Sequence, residues 1–182
     1  MKHYGAKELA ASFRTVRKNT LLAARDIPED QYDYSPAEGF MTVEKLLTHI
    51  AISYRFQHQV HAVEKLSHMG DFDWMSLVRE TEEDAAKSRS KAQVIELLEQ
   101  TGVIWASFLE GLSDDFLAES VSFPEEFGGE SKSRFEMILS VKEHEMHHRG
   151  QLMLIQRLLG IVPHLTRERE ARRKEFEEAA AS

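Results

Sequence analysis

The sequence predicts an all-α protein, a four-helix bundle followed by a charged helical extension at its C-terminus. In four long segments apolar residues recur with a period near 3.6, and almost no segment alternates with a period of two. Only four prolines and nine glycines interrupt the 182 residues. Helices with one apolar stripe must bury that stripe against one another, and four such helices form a bundle.

The first helix is predicted from about Gly5 to Asp26, because Ile27 and Pro28 follow as a stop. Its core-facing stripe comprises Leu9, Phe13, Val16, Thr20 and Ala23, and the side chains expected to face outward are Arg14, Arg17, Lys18 and Arg25. The connection that follows, residues 29–40, carries three aromatic residues, Tyr32, Tyr34 and Phe40. They are expected either to cap one end of the bundle or to line the mouth of a pocket.

The second helix is predicted to start after Thr42 as the N-cap and to continue to about Ser67. Its inward stripe comprises Leu46, His49, Ile50, Ser53, Phe56, Val60 and Val63, and the histidines expected at the solvated surface are His58, His61 and His68. A short polar helix is expected at Met75 to Lys87. The third long helix is predicted from Lys91 to Gly111 with Ser90 as its N-cap, and its stripe comprises Val94, Leu97, Leu98, Thr101, Ile104, Trp105, Phe108 and Leu112.

The fourth helix is predicted to start after Ser131 or Ser133 and to end at Gly160, with Pro163 as a further stop. A brief extended piece is expected before it, at residues 121–123. Beyond Thr166 arginine and lysine alternate with glutamate, which is typical of a solvated or partner-contacting helix. We therefore expect one bundle domain over residues 1–165 and a charged helical tail over residues 166–182.

Composition excludes several classes of function. A formal net charge of −8 argues against binding to nucleic acid, which needs a basic face. The chain has no cysteine, so disulfides, cysteine-ligated zinc and a thiol nucleophile are excluded. No apolar run approaches the ~20 residues that cross a bilayer, and no signal-peptide core follows Met1. We expect a soluble cytoplasmic protein without a membrane partner.

Two histidines of the fourth helix are candidate metal ligands. His144 and His148 lie one turn apart on the stripe that also contains Val141, Leu152, Ile155 and Leu159. His49 lies on the inward stripe of the second helix. Inward imidazoles need partners for their ring nitrogens, and a divalent metal is one such partner. A hydrogen-bonded core histidine is the alternative, since nine histidines make chance pairs common.

Other metal motifs fit less well. A ferritin-like di-iron centre needs two Glu-xx-His motifs, and only Glu145 with His148 supplies one. Residues 144–148 spell HExxH, the zinc metallopeptidase motif with Glu145 as general base. However, Gln151 and Leu154 stand where the metzincin extension needs glycine and histidine. We expect Glu145 to face the surface or to support a ligand rather than to act as a base.

The motifs together resemble the DinB/YfiT-like family. The resemblance is carried by Leu46-Leu47-Thr48-His49-Ile50, by His144-xxx-His148-Arg149-Gly150-Gln151, by residues 158–163 and by residues 32–40, and it covers about residues 5–165. It implies a four-helix bundle, usually a homodimer, in which His49, His144 and His148 hold a divalent metal. Characterised relatives include transferases and isomerases that use low-molecular-weight thiols.

From these observations we predict a metal-dependent enzyme that acts on a small molecule, either by thiol S-transfer or by hydrolysis. Arg149 and Gln151 are expected to orient ligands or to support the site. Zinc and nickel are the first candidates for the metal, and iron and manganese are compatible with three histidines. A low-molecular-weight thiol is a candidate cosubstrate, and Trp74, Tyr34 or Phe40 would line the metal pocket of an enzyme. The alternative is a non-catalytic, stress-associated metal-binding dimer.

Overall fold

The computed structural model describes residues 4–181 of the chain. Its helices are α1 (Ala6–Asp26), α2 (Val43–Ile52), α3 (Arg55–His58), α4 (Trp74–Ala86), α5 (Lys91–Glu110), α6 (Asp114–Ala118), α7 (Arg134–Leu158) and α8 (His164–Ala181). Two short strands, β1 (Ser120–Ser122) and β2 (Ser131–Ser133), form an antiparallel hairpin in which Val121 pairs with Lys132. Among residues 4–181 no helix combines the length and the apolar character needed to span a membrane.

The bundle is formed by α1, the α2–α3 segment, α5 and α7. Helix α1 packs against α5 and α7, and α2 packs against the same two helices. Two main clusters fill the interior. One surrounds Leu47, Ile50 and Leu98, and the other surrounds Phe13 and Trp105. The all-α class and the four-helix bundle predicted from periodicity are therefore confirmed.

Local signals in the sequence position the ends of these helices. The hydroxyls of Thr42, Ser90 and Ser133 each accept a hydrogen bond from a backbone N–H in the first turn of α2, α5 and α7. Gly160 ends the α7 region with φ +76°, which a residue with a side chain rarely adopts. The predicted ends of α1, α5 and α7 are confirmed to within about two residues. In the extension, α8 begins at His164, two residues before the predicted tail.

The second predicted helix is not continuous. Helix α2 ends at Ile52, and a turn at Ser53 and Tyr54 separates it from α3 and from a π-helical turn at Gln59–Val63. The hydroxyl of Ser53 donates to the carbonyl of Ile50 at 3.1 Å, a local bond that competes with a regular helix. Val63 is 59% exposed, so its predicted inward position is wrong. The predicted inward position of Ile104 on α5 is wrong as well, because this side chain is exposed.

Two histidines predicted at the surface lie inside the protein. His61 is fully buried, where its Nδ1 accepts from the guanidinium of Arg134 at 3.0 Å and its Nε2 donates to Gln57 at 2.9 Å. Burial lowers the pKa of His61 to about 4, and the nearby charge of Arg134 makes a smaller contribution in the same direction. His58 is half-buried against Trp105 and Phe108. His68 is exposed as predicted.

The largest correction concerns Arg17, which was predicted to face solvent. Its side chain is 5% exposed, and it pairs with Glu145 of α7, whose side chain is 1% exposed. Arg17 Nε lies 2.9 Å and 3.1 Å from the two carboxylate oxygens, and Nη2 lies 3.0 Å from Oε2. Arg17 Nη1 donates to the carbonyl of Leu98 and the hydroxyl of Thr101 on α5, at 2.6 Å and 3.0 Å. One guanidinium thereby joins three helices.

Gly102 of α5 makes room for this guanidinium. A β-carbon at Gly102 would lie 3.0 Å from Cγ of Arg17, tighter than ordinary packing allows. The side chain of Arg17 therefore crosses α5 at the one position where α5 carries no side chain. Glu145 was predicted at the surface or in a supporting position, and its surface placement is wrong because the carboxylate is the buried partner of Arg17.

We predict that Arg17→Met and Glu145→Leu will each lower the free energy of unfolding by about 3–5 kcal/mol, because each leaves one charge buried without its partner. The double variant should be more stable than either single variant, since no buried charge remains. Urea unfolding followed by circular dichroism measures all three. The exposed pair Arg25–Glu99 is the control, and Arg25→Ala should cost less than about 1 kcal/mol. A double variant whose loss equals the sum of the single losses would contradict the prediction.

Candidate metal centre

Three histidines from two helices meet at one point. His49 lies on α2, and His144 and His148 lie one turn apart on α7. The Nε2 atom of His144 lies 3.1 Å from Nε2 of His49 and 3.1 Å from Nε2 of His148. All three candidate ligand atoms lie within 4.8 Å of one another. The structure therefore brings together the three histidines that the sequence predicted on facing helices.

The distances fit a shared ion. Bonds of about 2.0–2.1 Å from three nitrogens to a tetrahedral metal place these nitrogens about 3.3 Å apart. Two of the three separations, at 3.1 Å, are close to this value. A neutral imidazole has one ring proton, so Nε2 of His144 makes at most one good hydrogen bond to its two neighbours. One cation would satisfy all three nitrogens at once.

The protonation states of the cluster favour cation binding. Burial, followed by the charges of His148, His49 and His147, lowers the pKa of His144 to about 4. Burial and then the neighbouring His148 also lower the pKa of His49 below its ordinary value. These two imidazoles are therefore neutral at pH 7, and a metal does not have to displace a proton from them.

Gln151 fixes the ring of His148. Its Oε1 lies 2.7 Å from Nδ1 of His148 and accepts the Nδ1–H, while its Nε2 lies 3.4 Å from Nε2 of His147. A proton on Nδ1 leaves the lone pair on Nε2, the atom that faces the other two histidines. Gln151 thus selects the tautomer of His148 that binds a metal, which is the way supporting residues act in metal sites.

Two further polar groups on this part of α7 are the guanidinium of Arg149 and Nδ1 of His144. Arg149 is half-buried, burial lowers its pKa, and Glu145 partly opposes that shift. Within residues 4–181 Arg149 has no hydrogen bond to the histidine cluster. The Nδ1 atom of His144 is buried and has no hydrogen-bond partner among the described residues.

A pocket of about 190 Å³ opens beside His148 and Gln151. Its remaining walls are apolar or lack a side chain, and they comprise Pro36, Gly39, Phe40, Met41, Leu46, Leu154 and Ile155. Phe40, 62% exposed, lines this pocket, whereas Tyr32 is buried and its hydroxyl donates to the carbonyl of Ala24 at 2.9 Å. Phe40 therefore takes the predicted role at the mouth of a pocket, and Tyr32 takes the predicted role of capping the bundle.

Two predicted pocket residues are not part of its wall. Trp74 packs on Phe56 and lines other cavities, and Tyr34 packs against the core cluster around Leu47. Sequence reasoning missed Met41 and Leu154. Leu154 is 59% exposed, but it follows Gln151 by three residues, and this spacing puts the two side chains on one face of α7.

The sequence and the fold of the chain are similar to those of known proteins. Residues 12–152 match the model of the DinB superfamily. The chain is 26% identical over 155 residues to the uncharacterized protein YjoA of Bacillus subtilis (strain 168), which covers 85% of this chain and 91% of YjoA. The crystal structure of YjoA, a DinB-like protein, matches 84% of this chain and 92% of its own with a TM-score of 0.62 and 22% identity.

A second solved structure has the same fold. YfiT from Bacillus subtilis matches with a TM-score of 0.65 at 16% identity, over 88% of this chain and 91% of YfiT. That protein is described as "a probable metal-dependent hydrolase with an unusual four-helix bundle topology". At these identities the two structures support the fold.

We predict that Gln151→Leu will weaken the binding of a divalent metal by about 10–100-fold, because the tautomer of His148 is then no longer fixed. Gln151→Glu keeps an oxygen acceptor for Nδ1–H and should retain the affinity to within about threefold. Competition against a chelating indicator dye measures both. An unchanged affinity in Gln151→Leu would show that the contact with His148 does not support the site.

Proposed function

The chain belongs to the DinB superfamily, and from this premise we propose that it is a metal-dependent hydrolase of a small molecule, with one divalent ion bound by His49, His144 and His148. The observation that carries the proposal is the convergence of three Nε2 atoms beside an apolar pocket that shares His148. The description of YfiT, a protein of the same fold, supports the same class of reaction.

Histidine ligands carry no negative charge, so a divalent ion held by His49, His144 and His148 would keep its full positive charge. Such an ion would lower the pKa of a bound water toward neutrality and would supply a nucleophile for hydrolysis. The chain provides the remaining functions. Gln151 holds His148, and Phe40 and Ile155 form apolar walls of the pocket beside it.

The shape of the pocket constrains the substrate. At about 190 Å³ the pocket accommodates a group of a few heavy atoms, and its lining contains no lysine, arginine, aspartate or glutamate. We therefore propose that the group held beside the metal is small, uncharged and apolar. Zinc or nickel is our proposal for the native ion. Assembly into a homodimer stays a prediction of the family resemblance, and a cytoplasmic location stays a prediction of the composition.

The metallopeptidase interpretation of residues 144–148 fits poorly with the position of Glu145. Both of its oxygens accept hydrogen bonds from Arg17, and its side chain is 1% exposed. A general base has to reach the water that it activates. A carboxylate held by a buried guanidinium has a structural role instead.

We predict that His49→Ala, His144→Ala and His148→Ala will each lose most of the bound metal, because each removes one of three ligands. His147→Ala is the matched control, since this exposed ring lies on the same helix outside the cluster, and it should keep about one ion per chain. His61→Ala is unsuitable as a control because His61 is buried against Arg134. Elemental analysis decides, and full occupancy in any of the first three variants would contradict the ligand assignment.

The reaction is tested with the metal-loaded protein. We predict that it hydrolyses small apolar esters such as 4-nitrophenyl butyrate, that chelation or His148→Ala abolishes this activity, and that His147→Ala leaves it unchanged. Since the chain has no cysteine, thiol transfer would need an exogenous thiol. In the cobalt-substituted protein a low-molecular-weight thiol that binds the metal would produce a thiolate-to-cobalt charge-transfer band.

The two measurements together separate the candidates. Hydrolysis without a thiol band supports the proposal. A thiol band without hydrolysis would replace it by thiol S-transfer. The absence of both, with metal still bound, would favour the non-catalytic, stress-associated metal-binding dimer.

A further inference from the structure

A second cavity, of about 690 Å³, lies between the first turn of α4 and the β1–β2 hairpin. It shares no lining residue with the pocket beside His148. Its walls comprise Trp74, Met75, Phe123, Phe127, Glu130 and Lys132. Small-molecule sites commonly have volumes of about 300–1,000 Å³, so this cavity is large enough for a whole ligand.

The aromatic wall is accessible to a ligand. Trp74 is 37% exposed, Phe127 62% and Met75 75%. The indole of Trp74 stacks on Phe56 with ring centroids 4.5 Å apart and meets Phe72 edge-on at 5.1 Å. Trp74 still lines the cavity and stays partly exposed, so part of its indole is accessible from the cavity. A group of exposed large apolar side chains around a cavity indicates a binding site.

The hairpin holds its two phenylalanines in place. The backbone N–H of Phe123 donates to the carbonyl of Glu130 at 2.9 Å, and the N–H groups of Phe127 and Gly129 donate to the carbonyl of Pro124 at 2.9 Å and 3.0 Å. Gly128 and Gly129 close the turn with φ values of +98° and +63°, which favour glycine. The backbone that carries Phe123 and Phe127 is therefore held in one conformation, which lowers the entropic cost of binding.

The charged groups around the cavity indicate which charge a bound ligand should carry. Lys132 lies 3.6 Å from Glu136, which partly neutralises it. The carboxylate of Glu130 is exposed and has no hydrogen bond or ion pair with any residue in the described part of the chain. Acidic residues precede two of the wall residues in the sequence, Asp71 and Asp73 before Trp74, and Glu125 and Glu126 before Phe127. Among the described residues, the lining carries one unpaired carboxylate, Glu130, and one paired ammonium, Lys132, so its charges favour a cation over an anion.

We propose that this cavity binds a small organic cation, an ammonium compound with an apolar body. Its cationic group contacts the indole of Trp74 and is paired by Glu130, while its apolar part packs against Phe123, Phe127 and Met75. Tryptophan is the best side chain for a cation–π contact, and aromatic walls with a nearby carboxylate suit ammonium groups that carry alkyl substituents. The site is independent of the metal centre and of the hydrolysis proposed there.

Isothermal titration calorimetry at low salt tests this with three probes of similar size, benzyltrimethylammonium, benzyl alcohol and phenylacetate. We expect the affinity for the cation to be at least about tenfold higher than that for phenylacetate, and we expect added salt to weaken the binding of the cation. Trp74→Leu and Phe127→Ser should each weaken it by about tenfold, and Glu130→Gln by about threefold to tenfold. Phe127→Ser alters an exposed side chain, so it tests the site even if Trp74→Leu destabilises the fold.

Glu96→Gln is the matched control, because it removes one exposed negative charge from α5 outside the cavity and should leave the affinity unchanged. Three outcomes would overturn the proposal. They are the absence of binding by the cation at millimolar concentration, equal affinity for the three probes, and full affinity in Phe127→Ser. Sedimentation adds a fourth, since a dimer that dissociates in Phe127→Ser would identify the surface as an interface between two copies of the chain.

Discussion

The buried ion pair between Arg17 and Glu145 constrains the arrangement of the bundle more than any other polar contact described here. It crosses from α1 to α7 and is tied to α5 through Leu98 and Thr101. Removing two charges from water costs several kcal/mol per ion, and only close pairing with further hydrogen bonds offsets this cost. Rotating α7 about its axis would break the pair and leave a charge buried. The pair therefore sets which face of α7 is presented to each neighbouring helix.

That rotation places the histidines. Successive residues of a helix point about 100° apart, so a residue next to His144 faces a different neighbour. With Glu145 directed to Arg17 of α1, His144 and His148 meet His49 of α2. The residues of the HExxH motif therefore have two roles on two faces of one helix. The glutamate stabilises the bundle, and the histidines form the cluster. In a metallopeptidase with this motif, the glutamate and both histidines act at one metal ion.

The sequence predicted the parts that depend on nearby residues. Helix ends follow from capping side chains and glycines, and the three clustered histidines follow from their positions on apolar stripes. The failures share one cause, which is that the polarity of a residue does not reveal a distant partner. Arg17 is buried because of a glutamate 128 positions away, and His61 because of an arginine 73 positions away. Trp74 was expected at the metal pocket, but periodicity gives no information on how the chain between helices folds back, and this residue lines the second cavity instead.

The same reasoning explains why the histidine cluster and the stability of the fold are linked. Burial keeps His144 neutral, with its pKa lowered to about 4, and its Nε2 lies 3.1 Å from Nε2 of His49 and of His148, which brings lone pairs together. A cation that binds the folded chain but not the unfolded chain adds its binding free energy to folding. The ion pair in the core and the histidine cluster are thus complementary. The first fixes the orientation of α7 by its own charges, and the second depends on that orientation, so a metal bound by the three histidines would stabilise the fold in proportion to its own binding free energy.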